Sequence, residues 1–295
     1  MTRVLVTGGS GFLGRPTVAA LLAQGHEVHV AGRGPSPGKD VAHHPFDLLG
    51  GDGAGLLAAL RPDVILHLAW FVEHGRFWEA PENLDWVAAT LRLARASDAA
   101  GVARFVGIGT CMEYDWSVEP GRPRREADAL TATQLYGEAK IATYRLLARF
   151  FAADGPGFAW ARVFHPYGPG EPQAKLVTSL LRTAREGGDL EIRSGPLVRD
   201  FIAAEDVGTA LAALATSRVT GAVNIASGAP SSVRRLVETV QALPGCRGRF
   251  LFRDAPAGSE PPAMTADVTR LREEVGVPPP PPLARRLQEM AEALA

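Results

Sequence analysis

Short runs of consecutive apolar residues alternate along this chain with segments in which apolar positions recur every three or four residues. Runs of the first kind predict strands buried on both faces, and segments of the second kind predict helices. The predicted strands cover residues 3–6, 27–31, 63–69, 104–109, 158–163 and 223–225, with a short strand at 43–48. The predicted helices cover residues 15–24, 54–60, 81–100, 135–151, 173–186 and 206–215. This alternation indicates an α/β protein with a doubly wound parallel sheet.

The rhythm changes after residue 168, where short strands near Leu190 and Val198 follow a helix. We therefore predict a dinucleotide-binding domain at 1–168, to which residues 201–228 return, and a smaller substrate-binding lobe at 169–200 and 229–295. Asp206 is the predicted cap of the helix through Ala215.

Composition narrows the class of protein. Of the 295 residues, 46% are hydrophobic and 21% charged, with a formal net charge of −1. That balance gives no reason to expect nucleic acid or an anionic membrane as a partner. Cys111 and Cys246 make neither a disulfide framework nor a zinc site, and His43 and His44 lack a third ligand, so we predict no metal. Without an apparent secretory signal or membrane span, the cytoplasm is the expected compartment.

The segment Thr7-Gly8-Gly9-Ser10-Gly11-Phe12-Leu13-Gly14 lies between the first strand and the first helix. Glycines there let the backbone approach a pyrophosphate, and the amides and dipole of the helix favour its negative charge. An ordinary glycine-rich turn is the alternative, but the position after the first strand favours a dinucleotide.

The end of the second strand bears on the choice of cofactor. NAD-binding folds commonly carry an acid there for the ribose hydroxyls, whereas this chain has Gly32 and then Arg33. A guanidinium suits a 2′-phosphate, so the sequence favours NADP(H), with NAD(H) as the alternative.

Tyr136 and Lys140 are four residues apart in a predicted helix and so share one face. A free phenol has a pKa of about 10, and a nearby ammonium lowers it, so the pair can act as a general acid or base. Thr110 ends the fifth predicted strand, at the edge of the sheet where ligands gather. Alone, the Tyr–Lys pair would more often be packing; the order of the other motifs strengthens the catalytic interpretation.

Together these motifs resemble the extended short-chain dehydrogenase/reductases, in their nucleotide-sugar epimerase/dehydratase branch, over nearly the whole chain. The elements that carry the resemblance are the glycine turn, His67-Leu68-Ala69, Thr110 four residues before Tyr114, Tyr136-Gly137-Glu138-Ala139-Lys140, Arg162 to Gly170, and Arg199-Asp200-Phe201-Ile202 with Glu205-Asp206-Val207. The family's fold is a Rossmann-type sheet with a C-terminal substrate lobe.

The resemblance implies a role for each matching residue. Tyr136 would exchange a proton with a sugar oxygen, Thr110 would bind that oxygen, and Lys140 would hold the nicotinamide ribose and lower the phenol pKa. The other implied cofactor contacts are Gly8, Ser10, Gly11, Phe12, Leu13, Gly14, Arg33, Asp47 with Leu48 at the adenine, Leu68, Ala69 and His165. The implied substrate contacts are Phe71, Thr110, Met112, Tyr136, and the diphosphate-binding Arg199 and Arg253.

The chain departs from the family at informative positions. Family dehydratases carry Asp-Glu after the active-site Thr, where this chain has Cys111 and Met112, so that elimination chemistry is not expected. The family's Asn in the long helix aligns with Trp86, and Asn83 is one turn earlier. His165 replaces an Asn, and we expect it to line the pocket rather than transfer protons. Trp70, Phe71, Phe77 and Trp78 form an aromatic segment that is either a packed loop or a sugar contact.

The function that these features favour is NADPH-dependent reduction of a keto group, at C4, on a nucleotide-linked deoxysugar. A nucleotide-sugar 4-epimerase with bound NAD is the first alternative. A non-catalytic NADP(H)-sensing protein is the second, and the retention of Thr110, Tyr136 and Lys140 argues against it.

We also expect a homodimer built on the helix at 81–100 and the helix that carries Tyr136. In this prediction Leu84, Val87, Ala88, Leu91 and Ala94 cover the sheet, which leaves small residues and a rim of arginines for the partner. The small residues are Ala89, Ala96 and Ala142, and the arginines are Arg92, Arg95 and Arg145. A merely solvated second face is the alternative.

Overall fold

The computed structural model describes residues 1–152, 155–254 and 260–293. The strands, in chain order, are β1 (Arg3–Thr7), β2 (Glu27–Gly32), β3 (Ala42–Pro45), β4 (Val64–His67), β5 (Arg104–Thr110), β6 (Gly157–Val163), β7 (Pro166–Tyr167), β8 (Gly188–Ile192), β9 (Val198–Arg199), β10 (Ile202–Ala203), β11 (Gly221–Ile225), β12 (Ser231–Ser232), β13 (Gly248–Phe252) and β14 (Ala263–Met264). The α-helices are α1 (Gly14–Ala23), α2 (Ala54–Leu60), α3 (Glu82–Ala99), α4 (Leu135–Phe150), α5 (Leu176–Glu186), α6 (Ala204–Thr216), α7 (Val233–Gln241) and α8 (Leu283–Ala293).

A parallel sheet with the strand order β11-β6-β5-β4-β1-β2-β3 forms the centre of the molecule. The order reverses next to β1, so the carboxyl ends of β1, β4 and β5 meet at one edge of the sheet, the place where such folds bind ligands. The fold is therefore the predicted Rossmann-like α/β sheet. The short run at 223–225 is the core of β11, which pairs with β6 at the edge of the same sheet.

Alternate residues of each strand point to opposite sides of the sheet, and helices pack on both faces. On β1, Val4 and Val6 share a core with side chains of α1 and α6, whereas Leu5 shares the opposite core with side chains of α3 and α4. This two-sided burial is the physical reason for the continuous apolar runs in the sequence.

The predicted inward stripe of α3 is wrong at Leu84 and Ala88 but correct at Ala94, and Ala89, predicted to face a partner, packs on the sheet instead. The face that packs on the sheet carries Asn83, Trp86, Ala89, Thr90, Leu93, Ala94 and Ser97. Leu84 is 59% exposed, Ala88 is exposed, and Val87 and Leu91 are half-buried. The polar residues Asn83 and Thr90 point inward because partners inside the protein satisfy them, so a stripe chosen by hydrophobicity alone included residues of the outer face.

A smaller core is built by α5, α7 and α8 together with residues of β7, β8 and β10. β8 pairs with β13, and β9 lies between β12 and β14. Asp206 does not cap α6: the helix begins at Ala204, and Asp206 in its first turn forms an ion pair with Arg286 of α8. That pair fastens the last helix to the one that packs on the main sheet.

Candidate active site

The glycine turn is a tight connection between β1 and α1. Gly8 has a φ of +72°, in the left-handed region that favours glycine, and a Cβ there would lie 2.8 Å from the amide nitrogen of Ala69. A Cβ on Gly14 would overlap the carbonyl oxygen of Gly8. The turn therefore depends on glycine, and it brings the first amides of α1 to the carboxyl end of β1.

Ser10 joins this turn to the loop after β2. Its hydroxyl donates to the carbonyl oxygen of Pro35, and Arg15 Nε donates to the Ser10 carbonyl oxygen at 3.0 Å. Arg33 in the same loop is exposed and makes no ion pair within the described ranges. The remaining predicted residues of the turn, Gly11, Phe12 and Leu13, lie between Ser10 and Gly14.

Two further pairs of predicted cofactor residues follow β3 and β4. Leu48 is buried after β3, while Asp47 beside it is exposed and accepts a hydrogen bond from the Leu49 amide at 3.1 Å. Leu68 and Ala69 follow β4 and are half-buried, with Ala69 against Gly8. These positions share the carboxyl edge of the sheet with the glycine turn.

Thr110 is the last residue of β5 and caps a short 3₁₀ helix, Cys111–Glu113. Its hydroxyl accepts a hydrogen bond from the Met112 amide at 3.3 Å, and its own amide donates to Glu113 Oε1 at 2.9 Å. This reciprocal arrangement is a capping box, which fixes the direction in which the chain leaves the strand. Thr110 is therefore held at both its backbone and its side chain.

Sequence reasoning missed Glu113. The carboxylate is fully buried and accepts from Arg162 Nε at 2.7 Å and from Trp160 Nε1 at 3.0 Å. A buried carboxylate is stable when it has such partners. The signal was present in the sequence, because Glu stands three residues after Thr110 in the capping-box spacing. Gly109 makes the space, since a Cβ there would overlap Glu113 Oε1 and Trp160 Nε1.

Tyr136 lies in the first turn of α4, and the aromatic loop after β4 surrounds it. Its amide donates to the Trp78 carbonyl oxygen at 2.9 Å, and the rings of Phe77 and Trp78 meet its ring edge-on at 4.9 and 5.9 Å. Burial raises the pKa of Tyr136 above its usual range, and the negative charge of Glu113 adds to that shift. The Thr110 side chain acts in the opposite direction through hydrogen bonding.

Lys140 does not lower the phenol pKa in the predicted manner. Its ammonium donates to the Ile108 carbonyl oxygen at 2.9 Å and lies 3.5 Å from the centre of the Trp70 indole ring. Burial lowers the pKa of Lys140 to about 7, against an opposing effect of Glu113. Burial and the charge of Glu113 raise the pKa of Tyr136, so the phenol keeps its proton at neutral pH.

His67 ends β4 in the middle of the sheet edge and is fully buried. Its Nδ1 lies 2.7 Å from Thr7 Oγ1, and its Nε2 lies 2.9 Å from Thr90 Oγ1. Because Thr90 already donates to the Trp86 carbonyl oxygen, it accepts from Nε2–H, which leaves Nδ1 to accept from Thr7. Burial lowers the pKa of His67 to about 3, so the ring is neutral and fastens β4 between β1 and α3.

His165 follows β6 and contacts Cys111, with its Nε2 4.0 Å from the Sγ atom. Burial, with help from Arg199 and Lys175, lowers the pKa of His165 to about 3, and burial raises the pKa of Cys111 to about 11. Both groups are therefore uncharged near neutrality. Met112 is half-buried and packs in the same cluster as Cys111.

The two arginines predicted to hold a diphosphate differ in their surroundings. Arg199, in β9, is 4% exposed and pairs with Glu260 at 2.7 Å. Arg253, after β13, is exposed and pairs with Glu191 at 3.3 Å. Each guanidinium thus already binds a carboxylate, the kind of anion that a phosphate would replace.

This arrangement fits a nicotinamide dinucleotide. The glycine turn offers amides at one strand end, and Tyr136, Thr110 and Lys140 stand at the ends of β5 and α4 nearby. Lys140 has N–H groups left after its bond to Ile108, and the protonated phenol of Tyr136 can donate to an oxygen beside it. Such a set can hold a ribose and transfer a proton.

A family model for the NAD dependent epimerase/dehydratase family matches residues 4–226. The chain belongs to that family. Members are NAD(P)-dependent enzymes acting on nucleotide sugars, and this chain is one of them.

Individual relatives of this epimerase/dehydratase differ in their chemistry. The dTDP-6-deoxy-L-talose 4-dehydrogenase (NAD(P)(+)) of Kitasatospora kifunensis is 32% identical, over 98% of this chain and 94% of its own. The UDP-glucose 4-epimerase of Mycolicibacterium smegmatis strain ATCC 700084 is 28% identical, over 98% of this chain and 97% of its own. The structure of MoeE5 in complex with UDP-glucose and NAD has a TM-score of 0.85 at 28% identity, covering 99% of this chain and all of the other.

Proposed function

We propose that this protein reduces, with NADPH, the C4 keto group of a nucleotide-linked deoxysugar. The pairing of Tyr136 with Thr110 carries the proposal, since the Thr110 side chain hydrogen-bonds the phenol and the phenol is protonated near neutrality, so that it can donate. The similarity to a 6-deoxy-talose 4-dehydrogenase over 98% of the chain supports C4 as the reacting carbon.

Each residue of the site has one task in this reaction. NADPH, when bound, supplies the hydride. Lys140 holds the nicotinamide ribose through its free N–H groups, Thr110 orients the keto oxygen, and Tyr136 donates its proton to that oxygen as it becomes a hydroxyl. Positioning and a placed donor account for most of the rate enhancement of such a site.

The residues after Thr110 argue against water elimination. Cys111 is an uncharged, buried thiol, and Met112 is a thioether, so neither can act as a carboxylic acid. The buried acid nearby, Glu113, is occupied by Arg162 and Trp160. A reductase needs no such acid, because Tyr136 supplies the proton.

The preference for NADPH is supported by Arg33. Arg33 is exposed in the loop that Ser10 joins to the glycine turn, and Gly32 stands where a carboxylate would repel a 2′-phosphate. NAD is the competing cofactor, since the MoeE5 structure contains it.

A nucleotide-sugar 4-epimerase is the second candidate, favoured by the UDP-glucose 4-epimerase similar over 98% of the chain. Both reactions use a Tyr and a nicotinamide at C4. They differ in whether reduced cofactor is consumed.

In this proposal the smaller lobe holds the nucleotide diphosphate through Arg199 and Arg253, with Phe71 and Met112 beside the sugar. Phe71 is half-buried in the aromatic loop, under the guanidinium of Arg76 at 5.6 Å. The division into a domain at 1–168 with 201–228 and a lobe at 169–200 and 229–295 remains part of the same prediction.

We propose a homodimer that buries the outer faces of α3 and α4. Leu84, Leu146 and Phe150 are 59%, 52% and 43% exposed, and Ala142 lies one turn before Leu146. Large exposed apolar side chains on the outer faces of packed helices are typical of an interface. Light scattering should give twice the 31.3 kDa mass of the chain, and Leu146→Glu should lower it. Val118→Glu, at an exposed apolar residue elsewhere, is the matched control; a wild-type mass near 31.3 kDa would rule out the dimer.

We also propose a reducing compartment, the cytoplasm, since Cys111 and Cys246 are free thiols. The described part of the chain contains no helix long and apolar enough to cross a membrane.

NADPH oxidation with UDP-, TDP-, GDP- and CDP-linked 4-keto-6-deoxy sugars tests the reaction. We expect stoichiometric oxidation with one of these nucleotides. The same enzyme incubated with the corresponding hexoses, without added cofactor, should leave them unchanged. Inversion at C4 with no NADPH consumed would replace the reductase by the epimerase.

A further inference from the structure

Trp70 lies in the segment after β4, and a hydrogen bond to Asn83 holds its indole ring in place. The indole Nε1 donates to Asn83 Oδ1 at 2.9 Å. The Asn83 amide in turn donates to the carbonyl oxygens of Phe77 and Ala80, at 2.7 and 2.9 Å. Asn83 is fully buried, so these bonds are not exchanged for water, and the plane of the indole is set by the start of α3.

The face of that indole carries the ammonium of Lys140. The distance from Nζ to the ring centre is 3.5 Å, whereas the rings of Tyr136 and Trp160 lie at 5.9 and 5.8 Å. A cation over an indole face is attracted by the ring quadrupole, and the attraction is strongest where both groups are desolvated. Lys140 is 2% exposed and Trp70 8% exposed, so this contact meets that condition.

The charges around Lys140 offer little else to stabilise an ammonium. Glu113, from the turn after β5, is the carboxylate that favours it, but that group is already paired with Arg162. His67, from β4, is neutral, and Tyr136, from the same helix, keeps its proton. The remaining contact is the Ile108 carbonyl oxygen, which accepts one N–H.

We propose that Trp70 is a positioning residue: its indole face holds Lys140 charged and aimed at the cofactor ribose, and Asn83 fixes the indole. The inference rests on the proposed role of Lys140 in holding the nicotinamide ribose, but not on which sugar is reduced. An indole face attracts the ammonium without accepting a directed hydrogen bond as a carbonyl oxygen does. N–H groups of Lys140 therefore remain available to bind the ribose.

The test is the pH dependence of cofactor affinity, measured by fluorescence titration with NADPH and with NADH, which has no 2′-phosphate to titrate. Lys140 binds the ribose as an ammonium, so affinity is present below its pKa and is lost as the pH rises. In Trp70→Leu the pH at which affinity falls should move down by about one unit, the size of a desolvated cation–π contact. Trp70→Phe keeps a weaker ring face and should show a smaller shift in the same direction.

Trp86→Leu is the matched control. Trp86 is 9% exposed, lies in the same core with its ring 6.5 Å from that of Trp70, and has no contact with Lys140 among the described residues. It should lower the melting temperature without moving the pH midpoint. Lys140→Met should remove the pH dependence and so assign it to that residue.

Equal midpoints in wild type, Trp70→Phe and Trp70→Leu would overturn the proposal. If Trp70→Leu fails to fold, Trp70→Phe decides alone: a downward shift supports the role, and an unchanged midpoint refutes it. Failure of the wild-type protein to bind either cofactor at any pH would instead refute the proposed function.

Discussion

The floor of the candidate site, formed by Thr110, Glu113, Tyr136 and Lys140, differs in construction from its proposed rim, formed by Arg33 and Arg253. Thr110, Glu113 and Lys140 are 8%, 0% and 2% exposed, and neighbouring groups in the sheet and helices hold their polar atoms. Arg33 and Arg253 are exposed on loops, and the ion pair of Arg253 with Glu191 is solvated. Exposed pairs of that kind contribute little to stability, whereas buried polar groups are costly to disturb.

This difference separates the residues expected to carry out the reaction from those expected to set the selectivity for cofactor and substrate. At the floor, burial raises the pKa of Tyr136 and lowers the pKa of Lys140 to about 7, which brings the titration of Lys140 close to neutral pH. At the rim the arginines stay charged and adaptable, which suits the recognition of phosphate groups on cofactor and substrate. Substitutions at the floor should therefore affect the reaction or the fold, and substitutions at the rim should affect selectivity.

The largest effect is expected at Tyr136. Tyr136→Phe keeps the ring against Phe77 and Trp78 but removes the proton donor, so kcat should fall by about 10²–10⁴-fold. Steady-state kinetics on the true keto-sugar nucleotide give the rate, and fluorescence titration should show nearly unchanged NADPH affinity. A variant with wild-type kcat would remove Tyr136 from the mechanism.

Arg33 tests the rim. Arg33→Ala should weaken NADPH binding by roughly 1.5–3 kcal/mol, the loss of a charge-assisted hydrogen bond, and leave NADH binding nearly unchanged. Calorimetric titration of both cofactors makes the comparison, with Arg61→Ala as an exposed arginine outside the site. Equal losses for the two cofactors would show that Arg33 does not bind the 2′-phosphate.

Gly109 tests how closely the floor is packed. Gly109→Ala forces a methyl group against Glu113 and Trp160, and overpacking of this kind costs about 1–3 kcal/mol of unfolding free energy. Gly55→Ala, in α2, meets nothing within 4 Å and should be neutral or stabilising. Denaturant unfolding of the pair measures the difference; similar stabilities would mean that the floor can relax around a side chain.

The smallest predicted effect is the change in unfolding free energy that the titration of His67 contributes per pH unit. Its pKa is about 3 in the folded protein, against about 6.5 in an unfolded chain, so unfolding takes up a proton below that higher value. Stability should fall as the pH drops from about 6.5 towards 3, with His67 contributing up to about 1.4 kcal/mol per pH unit.

Unfolding free energies of wild type and His67→Gln at several pH values isolate this contribution. The variant should lose stability overall but show a shallower decline with acidification. His74→Gln, at an exposed histidine, should keep the wild-type slope. Parallel curves for all three proteins would mean that His67 is not neutral in the folded state.

The sequence predicted the sheet well, because its strands depend on features that local patterns encode. Continuous apolar runs located the strands of the main sheet, and the Gly8 turn is dictated by backbone conformation and close approach. The sequence-based predictions failed where a hydrogen-bond or ion-pair partner from another part of the fold determines which way a polar side chain points. Asn83 and Thr90 face inward on α3 because Trp70 and His67 bind them, and Asp206 pairs with Arg286 instead of capping its helix.

The pKa of Tyr136 shows the same limit. Spacing correctly puts Tyr136 and Lys140 on one helix, but it cannot reveal that Trp70 and Ile108 hold the ammonium or that burial dominates at the phenol. The partners of Lys140 come from β4 and β5, both distant in sequence. The pKa shifts of Tyr136 and Lys140 therefore could not be predicted without the three-dimensional arrangement.

The most direct test of the proposed reaction follows a labelled hydride. NADPH carrying deuterium at C4 of the nicotinamide, on the transferred face, is incubated with the keto-sugar nucleotide that consumes it, and the product is examined by NMR. We predict one deuterium at the sugar C4 for each NADPH oxidised. NADPH oxidised without deuterium at the sugar C4, or a keto sugar recovered unreduced with the NADPH intact, would contradict the account.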